Sequence, residues 1–128
     1  MAMSSSEQEV VDATNSLLGA IGRGDIAGYE RLSDKGLTCF EPETQGHLIE
    51  GLAFHRHMLN LGRGGSTAAV LNTICAPSVR MLGPDHAMIA YVRIVQNGDK
   101  ITQAQETRLW QRGRDGQWRN LHFHKSKL

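Results

Sequence analysis

The sequence predicts a single α+β domain in which N-terminal helices pack on a curved antiparallel sheet. Three observations lead to that class. Apolar residues recur at helical spacing as far as about residue 61, and from about residue 67 the pattern turns to strand-like runs separated by turn signals. A length of 128 residues, 40% hydrophobic and 21% charged, suits one domain with its own core.

The elements follow in order. Ser6 followed by Glu9 has the spacing of a capping box, and Val10, Thr14, Leu17 and Ile21 then fall on one helical face with Val11 and Leu18 beside them. This predicts a helix over 7–21 behind a disordered tail, residues 1–6. Gly22-Arg23-Gly24 ends it, and Asp25 caps a second helix running through Tyr29 and Leu32 to a stop at Gly36. Residues 37–40, held between Gly36 and Pro42, read as a short edge or entry strand followed by a loop at Glu41-Pro42-Glu43. A third helix is expected over 51–61, with Leu52, Phe54, Met58, Leu59 and Leu61 as its apolar face, and the run from Gly62 to Ser66 as a mobile breaker. Strands are expected over 68–82, with Pro77 marking an edge or a bulge, and over 86–96, 102–112 and 117–124. The turn signals are Gly83-Pro84-Asp85, Asn97-Gly98 and Gly113-Arg114-Asp115-Gly116.

Composition narrows the function. A formal net charge of +1 gives no global attraction for nucleic acid or an acidic membrane surface, so neither is expected as a partner. The two cysteines, Cys39 and Cys75, lie far apart in apolar stretches and read as small buried hydrophobes in a reducing compartment. The start shows no basic segment leading into an apolar run, and no stretch reaches membrane-spanning length. A soluble, cytoplasmic protein without cofactor is expected.

Arg93 carries the first chemical signal, because it interrupts the most apolar strand-like run, from Ala87 to Val95. A guanidinium keeps its proton, so in a buried strand it must meet a carboxylate, an anionic ligand or water. Arg108 and Lys125 lie in later strand-like segments, and Glu106 shares a strand face with Arg108. Pairing with Glu106 and an anion site both remain open. Alternation cannot orient the Arg93 strand, since both of its faces are apolar; that suits a strand covered by its own core on one side and a neighbouring subunit on the other. His122 with His124, and His55 with His57, invite a metal reading, but recognisable ligand spacing and cysteine support are missing, so no metal site is expected. Phe123 and Leu121 are expected inside, with the two histidines facing a partner or solvent.

Several separated runs then point to a known family: Gly36-Leu37-Thr38-Cys39-Phe40-Glu41-Pro42-Glu43, Glu50-Gly51-Leu52-Ala53-Phe54-His55-Arg56, Ile89-Ala90-Tyr91-Val92-Arg93, Gln105-Glu106-Thr107-Arg108-Leu109-Trp110 and Trp118-Arg119-Asn120-Leu121-His122-Phe123-His124. In this order they resemble the association (hub) domain of calcium/calmodulin-dependent protein kinase II, over residues 7–128. The resemblance implies an NTF2-like, cystatin-like cone that assembles with itself into two stacked rings, joined by kinase chains bearing the same domain. The kinase domain and the calmodulin-binding segment of that family have no counterpart here: the chain lacks a glycine-rich phosphate loop and a catalytic-loop motif, so no phosphorylation by it is expected. The resemblance further implies a basic pocket for an acidic peptide or small carboxylate, carried by Arg93, Arg108, His55 and Lys125, with Tyr29 and Glu106 lining it. Lys125 stands where the family has arginine, which keeps the charge and loses the bidentate fork. The family's tryptophan after the third helix is missing, with Arg63 near its place. Asn120, His122, Trp110 and Trp118 are expected on the sheet's outer face. NTF2-like cones also include isomerases and dehydratases, so the alternative is a small-molecule enzyme with His55 as base, or a stand-alone ligand-binding protein.

Overall fold

A computed structural model describes residues 2–63 and 70–127. Helix α1 spans Ser5–Arg23, α2 Ile26–Arg31 and α3 Ala53–Arg63; the strands are β1 Ser33–Phe40, β2 Ile49–Glu50, β3 Leu71–Met81, β4 His86–Asn97, β5 Lys100–Arg112 and β6 Trp118–Lys127. They form one sheet in the order β2-β1-β6-β5-β4-β3. The α+β class is therefore as predicted. The loop expected between Gly62 and Ser66 falls largely outside the described residues, as does the start of the strand expected from residue 68.

The first cap falls two residues earlier than predicted. Ser4 Oγ accepts from the Glu7 amide at 3.2 Å, and Glu7 Oε1 accepts from the Ser4 amide at 3.0 Å. The alternative box needs Glu9, but Glu9 Oε1 already accepts from Trp118 Nε1 at 2.9 Å and Arg112 Nη1 at 3.3 Å. A tertiary bond decided between two equally spaced local signals. At the other end Gly24 adopts a left-handed φ of 67°, which closes the helix as expected for glycine there.

The second helix does not continue to Gly36. It stops at Arg31 and the chain enters β1 at Ser33, because β1 pairs parallel to β6, Ser33 opposite Asn120, and the Asn120 amide donates to Leu32 O at 2.8 Å. Nor is β1 the sheet edge; the two-residue β2 covers it. The opposite edge is β3, where the register shifts between Cys75 and Ser78 and Ala76 has a φ of 50°, the bulge that Pro77 predicts.

The core lies between α1 and one face of the sheet. Val10, Thr14, Leu17 and Leu18 of α1 are buried against Ala87, Ile89 and Tyr91 of β4 and Trp110 of β5. On α3 the apolar face is narrower than expected: Leu59, with Leu52 just before the helix, packs towards the core, whereas Met58 and Leu61 stay exposed. Among the described residues no helix is long and apolar enough to cross a membrane.

Candidate functional site

Alternation along β4 and β5 puts a polar cluster into this core. Tyr91 and Arg93 of β4 point inward with Ile89; opposite them Glu106 and Arg108 of β5 point inward too, with Tyr91 facing Glu106 and Ile89 facing Arg108 in the register. The Glu106 carboxylate joins both guanidiniums. Its Oε2 accepts from Arg93 Nη1 at 2.7 Å, and its Oε1 accepts from Arg108 Nη2 at 3.0 Å and from the Tyr91 hydroxyl. Arg108 Nε donates to the Tyr91 oxygen at 2.9 Å and Nη1 to Asn120 Oδ1 at 2.7 Å, while its Cζ sits 4.3 Å over the Phe123 ring. Arg93 Nε donates to Asn72 Oδ1 at 2.8 Å.

Burial alone would raise the Glu106 carboxyl, but the adjacent Arg108 and Arg93 outweigh it and hold its pKa at about 2. Two guanidiniums against one carboxylate leave a positive surplus in a low-dielectric setting. The two arginines differ in access: the Arg108 side chain is 1% exposed and the Arg93 side chain 10%.

The other predicted residues occupy the neighbouring space. His55, in the first turn of α3, is packed by Tyr29, Phe54 and Phe123 at ring distances of 5.7, 5.4 and 5.5 Å. Burial and then Arg108 push its pKa down to about 4, so at neutral pH it brings a hydrogen-bonding ring rather than a charge. Lys125 stands opposite Glu106 in the register, but its Nζ is directed to Glu43 Oε1 at 3.6 Å, beside an open groove lined by Phe40, Glu41, Pro42 and Thr44. Arg93, Arg108 and Glu106 thus meet directly, His55 joins through Phe123, and Lys125 sits at the outer end.

The sequence reading missed Tyr91, Asn72 and the true role of Asn120. Tyr91 carried a legible signal, lying two residues before Arg93 on the same strand face. Asn120, Trp110 and Trp118 are not on the outer face as expected; they are 0%, 0% and 4% exposed. The register shift between Leu109 and Trp110 puts a bulge in β6 that reverses its alternation, so Asn120 points in and His122 points out. Asn120 Nδ2 donates to Leu109 O and His122 O, both at 2.9 Å, which stabilises the bulge and aims the amide oxygen at Arg108. Phe123 is inside as expected, and Leu121, at the bulge, is half-buried. His122 Nδ1 lies 2.7 Å from Thr38 Oγ1.

A family model described as the calcium/calmodulin dependent protein kinase II association domain matches residues 6–128. The chain is 42% identical over 125 residues to the delta subunit of calcium/calmodulin-dependent protein kinase type II from Oryctolagus cuniculus; the match covers 94% of this chain and 23% of that protein, so the chain spans about a quarter of the relative's length. Among solved structures it is similar to the association domain of C. elegans CaMKII, with a TM-score of 0.84, 37% identity and 95% of each chain covered. An NTF2-like protein of unknown function from Pseudomonas putida KT2440 superposes with a TM-score of 0.79 at 21% identity, over 98% of this chain and 89% of that one, a likeness of fold alone.

Proposed function

This chain belongs to the calcium/calmodulin-dependent protein kinase II association-domain family, and from that premise we propose that its biochemical act is self-assembly into a two-ring particle, as a hub open to kinase chains bearing the same domain. The observation that carries the reading is the outer face of β4. Met88, Ala90, Val92 and Ile94 point away from the α1 core and are only half-buried within one chain. Sheet faces left to water are ordinarily polar, so an apolar outer face on a central strand suits burial by another subunit. Rings close when one heterologous contact repeats by rotation, and an isologous contact can stack two of them. Light scattering of the purified chain is expected to give a mass many times the 14.1 kDa monomer. A monodisperse monomer or simple dimer would refute the hub reading.

The buried cluster supports a secondary role, capture of an acidic peptide or small carboxylate by the positive surplus at Arg93 and Arg108. A catalytic role for Glu106 is disfavoured, because a carboxylate held ionised between two guanidiniums is a weak base. Arg93 is the better probe of binding, since loss of the fully buried Arg108 would disturb the core. Arg93→Gln is expected to weaken binding of an acidic peptide about tenfold, the loss of one charge-assisted contact, while particle mass is unchanged. Equal affinity in the variant would remove the pocket assignment.

A further inference from the structure

We propose that Cys39, Glu41 and His55 form a zinc-binding site that ties the end of β1 to the start of α3. Cys39 and Glu41 alternate onto the same side of the chain as it leaves β1, and His55 reaches them from the first turn of α3. Their ligand atoms all lie within 4.8 Å of one another. His55 Nε2 is 3.5 Å from Cys39 Sγ and 3.8 Å from Glu41 Oε1. Tetrahedral zinc with a sulfur at about 2.3 Å and a nitrogen at about 2.0 Å sets those two atoms about 3.5 Å apart, so the Cys39–His55 edge needs no adjustment and Glu41 needs to close by at most about 1.3 Å.

Three further features point to a metal rather than to chance proximity. His55 is 8% exposed, and its Nδ1 is buried without a hydrogen-bond partner. With its proton on Nδ1, the ring presents the Nε2 lone pair to Cys39 and Glu41. The loop is held as well: Thr44 Oγ1 donates to Glu41 O at 2.8 Å. Charge is matched among the ligands, since a thiolate and a carboxylate balance a divalent ion, and the neighbouring Arg108 guanidinium is directed to Glu106. Binding releases the Cys39 thiol proton to solvent and leaves one tetrahedral position for water or an anion. One sulfur, one nitrogen and one oxygen donor suit zinc better than magnesium or calcium.

The test uses the intact, reduced protein stripped with a chelator and titrated with zinc chloride, and in parallel with cobalt chloride. One ion per chain is expected, with thiolate-to-cobalt charge-transfer absorption and the visible bands of a tetrahedral centre. Cys39→Ser should lose more than about 100-fold in zinc affinity, beyond what loss of an outer-shell partner costs, and should lose the charge-transfer band. Glu41→Gln, altered at a side chain less buried than Cys39, should weaken binding while leaving circular dichroism and particle mass unchanged. Cys75→Ser should bind as the parent does. Absence of stoichiometric binding, undiminished binding in both Cys39→Ser and Glu41→Gln, or its loss in Cys75→Ser would overturn the site. None of these readouts depends on the hub assignment, which rests on mass alone.

Discussion

Replacing Glu106 with glutamine is expected to destabilise the folded chain by about 3–5 kcal/mol, the usual cost of leaving a buried charge without its partner. The side chain is fully buried and serves two guanidiniums that cannot shed their protons. Glutamine keeps the volume and removes the charge, so the loss would be electrostatic rather than a cavity effect. Denaturant midpoints at one fixed protein concentration provide the measurement, since self-association adds to apparent stability. Acid should reveal the same group. A carboxyl at about 2 in the folded chain against an ordinary value of 4.5 contributes stability that is complete above pH 4.5 and is lost as pH falls towards 2. Glu106→Gln should flatten that acid limb. Adding Arg93→Met to Glu106→Gln should recover part of the loss by removing one of the stranded charges; purely additive effects of the two substitutions would show that the charges are not coupled.

Val92→Asp is expected to reduce the particle to small species with the fold retained. Val92 lies between Ala90 and Ile94 on the outer face of β4, opposite Cys75 on β3 and Gln105 on β5, with its side chain directed away from the α1 core. In an isolated chain the new carboxylate would meet water and change little. Within a subunit contact it would be desolvated without a partner, at several kcal/mol per interface, and a closed ring repeats that penalty at every contact. Scattering mass and circular dichroism together decide the matter. An unchanged particle mass would move the interface elsewhere.

Arg93 was legible by its chemistry, as a charge in an apolar run, and the pairing of Glu106 with Arg108 because alternation is local: two residues along a strand restore the same face, whatever the rest of the chain does. Breaks in that alternation were not legible. The bulge in β6 reversed the expected sides of Asn120 and Trp118, and nothing in Trp118-Arg119-Asn120-Leu121-His122 announces the extra residue. The extension of β1 back to Ser33 was equally hidden, because it depends on pairing with Asn120, some ninety residues further along the chain. Cys39 and His55 looked unrelated for a similar reason. They are 16 residues apart, and only the angle at which α3 meets β1 brings sulfur and imidazole within 3.5 Å.

By itself the sequence determined the order of the main elements, the family, and the presence of a charge that an apolar strand must answer for. These follow from short-range spacing and from residue chemistry, which a single chain displays openly. Tertiary structure alone decided which face of β4 is inside, that Glu106 rather than solvent answers Arg93 and Arg108, and which of two caps starts α1. Each of those outcomes rests on groups distant in sequence competing for the same partner. In a core of low dielectric, the arrangement that leaves the fewest charges and donors unpaired prevails.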